Sequence, residues 1–165
     1  MKFLYISDLD GTLLDNCGIF PDNDKFKINE LIKSGLLFTI ATARTFATVI
    51  PLLDGVNINC PIILMNGVMI YDLDKKIPID LEIIPDNAVQ NVLACLKKHD
   101  VTGFIYTWNN KMTAWYEKFA VAPMKTFYNA RRERKTFIHI PSFFDIPHTE
   151  KAIYFCICNT SQKLL

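Results

Sequence analysis

Asp8 and Asp10 stand one residue apart in FLYISDLDGTLLDN, residues 3–16, directly after an unbroken apolar run. Carboxylates two positions apart can leave a strand end on the same side, so one site could hold both. Two anions this close repel each other, which favours a divalent cation between or beside them. Gly11 permits the tight turn that follows, and Thr12 can bond back to fix it. Thr42 ends a second apolar run, LLFTIATA. A hydroxyl and backbone N–H groups at that strand end would suit phosphate oxygens. The same spacing has a plain reading, because acidic residues often end strands ahead of turns. The chain carries its own control in YDLDKK, where Asp72 and Asp74 repeat Asp-Leu-Asp but two lysines replace Gly-Thr. That string reads as a solvated hairpin turn.

The elements around the first string follow from periodicity and punctuation. FLYISD reads as a buried strand that turns at Gly11. DNDKFKINELIKSG reads as a helix, with Asp22 or Asp24 as cap, Phe26, Leu31 and Ile32 as its apolar face, and Gly35 as its end. LLFTIATA and PIILMNG are two further buried strands. Between them, Phe46, Val49, Ile50 and Leu53 fall at helical spacing, and Pro51 implies a kink or a restart. Strand, helix, strand, helix, strand with short links describes an α/β parallel sheet with right-handed crossovers.

Beyond Gly67 the pattern changes. VMIYDLDKKIPIDLEII reads as a hairpin turning at Asp74 to Lys76, and VTGFIYTWNNKMTAWYE as another turning at Asn109 and Asn110. A helix between them carries Ala88, Val92, Leu93 and Leu96 inward. A helix and loops are expected over 118–150, and KAIYFCICN is a last strand. This half reads as an open sheet with helices on one face. The boundary is expected at 66–68, which divides the chain into 1–66 and 67–165. Asn159, Thr160 or Ser161 can cap a final helix that stops after one turn, so the chain reads as C-terminally truncated.

At 165 residues and 50% hydrophobic content the chain can bury a sizeable core. A net charge of +1 creates no field toward nucleic acid or anionic lipid. The apolar runs are too short to span a bilayer, and MKFLYISD is too short for a signal-peptide core. A soluble, cytoplasmic protein without nucleic-acid or membrane partners is expected. Five cysteines without a Cys-x-x-Cys pair read as buried thiols in a reducing compartment, and Cys156 and Cys158 share a strand face. His99, His139 and His148 show no metal-ligand spacing. The basic string ARRERK reads as a solvated face, and Phe104, Tyr106, Trp108, Trp115 and Tyr116 as sheet core.

DLDGTLL after an N-terminal apolar strand resembles the first motif of the haloacid dehalogenase superfamily, and FTIATAR resembles its second. PIILMNGVMIYD resembles the lead into the large α/β cap of its Cof-type phosphatase branch. The resemblance implies a partial Rossmann-like core of three strands plus an incomplete α+β cap. It implies that Asp8 is a nucleophile that becomes an aspartyl-phosphate, and that Asp10 is the acid/base partner. It further implies a Mg2+ site at the Asp8 carboxylate and the Asp10 backbone carbonyl, with phosphate held by Thr42 beside Gly11 and Ala43. Arg44, Asn66 and Gly67 would lie at the substrate and hinge side. The substrate class would be small phosphorylated metabolites such as sugar phosphates or nucleotides. A phosphomutase of similar fold is not separated from a phosphatase.

Two departures stand against the family pattern. Ala43 replaces the usual glycine, at a cost of about 1 kcal/mol if that position needs positive φ. The family's lysine and C-terminal acidic pair are absent, and Lys151 and Lys163 fall in cap elements. The competing expectation is therefore a truncated, inactive chain that acts at most as a phosphate-binding or interaction module. Self-association through an exposed first-strand edge goes with it. A receiver domain is excluded, because Met65-Asn66 stands where that fold needs an acceptor aspartate.

Overall fold

The computed structural model describes residues 3–134 and 136–157. The chain forms two compact units, Met1–Glu82 and Ile83–Leu165. In the first, β1 (Leu4–Ser7) runs parallel to β2 (Leu37–Ile40), with Leu4 opposite Leu37 and Ser7 opposite Ile40. Helix α1 (Asp22–Lys33) makes the crossover. Just past β2, Ala41 bridges in parallel to Ile63 of β3 (Ile62–Leu64). Thr39 adds a hydroxyl bond to the Pro61 carbonyl at 2.6 Å. Helix α2 (Phe46–Val49) gives way to a 3-10 turn at Ile50–Leu52, where Pro51 lacks the N–H a continuing helix would use. The parallel strands expected from the sequence are therefore present. β3 also begins a second, three-stranded antiparallel sheet with β4 (Met69–Asp72) and β5 (Ile77–Leu81), which the Ala41–Ile63 bridge joins to β1 and β2.

That hairpin packs with the first unit, so the compact units meet at Glu82 and Ile83. The sequence reading had put the hairpin beyond its 66–68 boundary. Backbone pairing explains the placement. Met69 to Tyr71 pair with β3, and the Glu82 N–H donates to the Val68 carbonyl at 2.9 Å.

Two expectations for the first unit need correction. The β1 side chains are open to solvent: Leu4 is 51%, Tyr5 54% and Ile6 52% exposed, because among the described residues only β2 flanks the strand. The apolar face expected on α1 is also uncovered, with Phe26 at 65% and no residue of the helix buried. Asp22 and Asp24 lie inside the first turn of α1, where the helix dipole favours them, and neither side chain caps it. The buried core of this unit is Leu9, Leu14, Phe20, Ile40, Val49, Ile62 and Leu64.

The second unit holds a four-stranded sheet in the order β8-β7-β6-β9: β6 (Gly103–Trp108), β7 (Met112–Tyr116), β8 (Phe137–His139) and β9 (Lys151–Ile157). Its pairs are antiparallel except β7 with β8. Helix α3 (Asp86–Lys98) places Leu93 against Ile105, Trp115 and Ala152. Helix α4 (Ala122–Asn129) stacks Phe127 on Phe104 at 5.1 Å between ring centres. Phe104 and Ile105 are consecutive in a strand and point to opposite faces. The helices thus cover both faces, correcting the one-sided expectation, and β6 is buried from Gly103 to Thr107 as a result.

Among the described residues, no helix is long and apolar enough to cross a membrane. Cys17 and Cys95 are exposed, and Cys60 and Cys156 half-buried, so the buried-thiol reading fails for them. Cys17 sits in a surface loop, and Cys95 faces away from the Leu93 side of α3. Cys158, Lys163 and the capping residues 159–161 lie outside the described residues. Of the hairpin aromatics expected in the core, Phe104, Tyr106 and Trp115 are buried, whereas Trp108 and Tyr116 are half-buried. Arg131 of the basic string lies over the Phe127 ring at 3.9 Å, packed against its own unit.

Candidate active site

Leu9 explains how two charges share one strand end. It is fully buried between Asp8 and Asp10, which stay exposed. Burying a leucine side chain is worth roughly 1.5–3 kcal/mol, enough to hold the alternation in place. The chain then makes one wide turn, closed by the Leu14 N–H on the Leu9 carbonyl at 2.9 Å. Gly11 takes φ +77° inside that turn, a left-handed conformation that favours glycine. The next loop is fixed by Asp15, whose Oδ1 accepts the Cys17 and Ile19 N–H groups at 2.9 Å each.

The end of β2 is organised by Thr42, which is 5% exposed. Its N–H donates to the Ile63 carbonyl at 3.0 Å, and its carbonyl accepts from Asn66 at 3.1 Å. Its hydroxyl accepts the Arg44 N–H at 3.2 Å. Ala43 is absent from the residues with positive φ, so alanine there carries no left-handed penalty. The turn after β3 has three consecutive positive φ values: Met65 at +53°, Asn66 at +59° and Gly67 at +92°. Asn and Gly accept this conformation readily, whereas a buried Met does so against its intrinsic preference. Its N–H bonds the Arg44 carbonyl at 3.1 Å, one contact that holds it there.

Arg44 joins these strand ends. Its Nε donates to Asp10 Oδ2 at 2.8 Å and its Nη2 to Asp10 Oδ1 at 2.7 Å, a two-pronged ion pair spanning 34 positions of chain. The hydrogen bond and the charge of the guanidinium hold the Asp10 carboxyl below its usual range, against the opposing effect of partial burial. Arg44 is raised reciprocally. The sequence placed Arg44 near the site but not its partner, because no local periodicity links positions 10 and 44. Asp8, Asp10, Gly11, Thr42, Ala43, Arg44, Asn66 and Gly67 therefore all lie on the turns that leave β1, β2 and β3.

The Asp8 carboxylate accepts no hydrogen bond from the described residues. Its free oxygens are hard donors of the kind Mg2+ takes. No group of three or more His, Cys, Asp or Glu among the described residues could hold a metal ion. Lys151 lies in β9 of the second unit, with Asp86 at 3.5 Å.

Comparison with known proteins places the chain in a family. Residues 5–165 match the model of the haloacid dehalogenase-like hydrolases. A Buchnera aphidicola protein named "Putative phosphatase" is 33% identical over 116 residues, covering 70% of this chain and 42% of its own length. A Mycoplasma genitalium protein of the same kind is 28% identical over 102 residues, 62% of this chain and 37% of its own. The chain thus spans less than half the length of these relatives. Solved structures share the fold. A haloacid dehalogenase-like hydrolase from Bacteroides thetaiotaomicron superposes with TM-score 0.72 at 19% identity, over 99% of this chain and 60% of its own. A Thermotoga maritima protein does so with TM-score 0.73 at 19% identity, over 99% and 59%. The chain belongs to the haloacid dehalogenase-like hydrolase family.

Proposed function

We propose that this chain supplies the nucleophile, acid/base and phosphate-binding threonine of a magnesium-dependent phosphomonoesterase acting on small phosphorylated metabolites. The observation that carries the reading is the Arg44–Asp10 fork, which ties the turn after β1 to the turn after β2 and supports reading Asp8 and Thr42 as parts of one site. Asp8, exposed and with a carboxylate that accepts no hydrogen bond from the described residues, attacks phosphorus and becomes the aspartyl-phosphate. Asp10 gives a proton to the leaving alkoxide and takes one from the water that hydrolyses the intermediate, a role that requires the Arg44 fork, which holds its carboxyl ionised, to loosen when substrate binds. The Thr42 hydroxyl keeps its hydrogen free for a phosphoryl oxygen, since it accepts the Arg44 N–H. Asp8 and the Asp10 backbone carbonyl would hold Mg2+. When bound, the ion offsets negative charge so that a carboxylate and a phosphoryl anion can approach.

A second reading has its own support. The described residues bring no third carboxylate to Asp8 and Asp10. Residues 1–165 by themselves would then bind phosphate with little or no turnover. Phosphate release from p-nitrophenyl phosphate, with and without magnesium, separates the two. Turnover that needs magnesium and is lost in Asp8→Asn supports the enzyme reading. Turnover that persists in Asp8→Asn refutes the assignment of the nucleophile. Phosphate binding without turnover supports the module.

A further inference from the structure

We propose that Arg44 positions Asp10 before a substrate binds and passes part of its guanidinium fork to a phosphoryl anion bound at Thr42. The inference rests on the phosphate-site reading above. Arg44 is anchored at its backbone on both sides of the site: its N–H to the Thr42 hydroxyl, its carbonyl to the Met65 N–H. Only its side chain is free to change partner. That side chain is 31% exposed and the Asp10 side chain 54%, so water reaches the pair and opening it costs little.

A guanidinium has five N–H groups in a planar fork. Two of them hold Asp10. The others remain for a second acceptor, and oxyanions are the acceptors that this geometry matches best. The Thr42 hydroxyl is bonded to the Arg44 N–H itself, so an anion seated on Thr42 lies two residues from the root of the arm. Asp10 and the phosphoryl group therefore compete for one cation. This differs from a fixed role in which Arg44 merely neutralises Asp10.

A double-mutant cycle distinguishes the two roles. Inorganic phosphate is titrated calorimetrically, in magnesium buffer, into the chain and its Asp10→Asn, Arg44→Ala and doubly substituted forms. If the fork is shared, Asp10→Asn releases Arg44 and tightens phosphate binding by about threefold or more with Arg44 present, and by less when it is Ala. If Arg44 only neutralises Asp10, removing it bares the carboxylate, and Asp10→Asn helps more in the Arg44→Ala background. That result overturns the proposal. Arg44→Lys keeps the charge without the fork and should lose the coupling. The Arg44 Nε–H resonance gives a second readout independent of fold loss: it should move on adding phosphate, and an unmoved signal at saturation also overturns the proposal. Binding lost in Thr42→Ala with an additive cycle leaves the phosphate site standing and removes only this inference. No phosphate binding in folded wild type removes both.

Discussion

Asp8-Leu9-Asp10 and Asp72-Leu73-Asp74 have the same three letters, and each leaves the end of a strand, β1 or β4. Their surroundings divide them. Asp72 is satisfied locally: its Oδ1 accepts the N–H groups of Asp74 and Lys75 at 3.0 and 2.9 Å, and Lys75 pairs with it at 3.3 Å. Asp10 is satisfied across the fold by Arg44, and the Asp8 carboxylate accepts no hydrogen bond from the described residues. A carboxylate that closes its own turn is consumed by structure. One left open beside another that is tied to the neighbouring strand end is available for chemistry. The strands differ too, since among the described residues β4 is paired on both sides and β1 on one.

The largest expected contrast is in activity. Asp8→Asn should lower magnesium-dependent phosphate release by roughly 100-fold or more. Asp72→Asn should leave it within about twofold, because asparagine can still accept the turn bonds. Equal losses at both positions would break the comparison.

Acid titration sharpens it. The Asp10 carboxyl is held low mainly by the side-chain hydrogen bond from Arg44, so Arg44→Ala should return it toward its ordinary value. Asp72 is lowered first by the Lys75 backbone N–H, which survives Lys75→Ala, so that change should move Asp72 little. Carboxyl carbon resonances followed against pH read both. A depressed folded-state value contributes stability that is present above the ordinary carboxylate range and is lost as pH falls through the folded value. Arg44→Ala should therefore flatten part of the acid limb of stability, at a cost near neutral pH of about 0.5–1 kcal/mol for an exposed pair.

The strand contrast predicts association. The β1 edge presents Leu4, Tyr5 and Ile6 with no charge or proline to blunt it. Light scattering should show a mass that rises with concentration, and Ile6→Lys should reduce that rise. A dilute and concentrated sample of identical monomer mass would refute it. The smallest effects concern backbone conformation. Gly67→Ala places a side chain at φ +92° and should cost on the order of 1 kcal/mol. Ala43→Gly relieves no strain and should change stability by about 0.5 kcal/mol or less.

The parallel strands and both hairpin turns were legible because apolar runs and turn residues are local signals. The control drawn from Asp72 held for the same reason, since its bonds reach only two and three residues ahead. What escaped were facts of assembly. The Arg44 fork joins residues far apart in sequence, and Met65 takes a left-handed φ that no methionine signals. The open faces of β1 and α1 look apolar enough to be buried, and only the pairing shows that nothing among the described residues covers them. Both helices of the sheet unit were expected on one face, because the aromatic run in β6 reads equally well toward either side.

Amide chemical shifts on adding magnesium and inorganic phosphate test the central distinction most directly. The account predicts changes concentrated at residues 8–12 and 42–44, with residues 72–76 unmoved. Equal shifts at both Asp-Leu-Asp strings, or shifts at 72–76 alone, would contradict it.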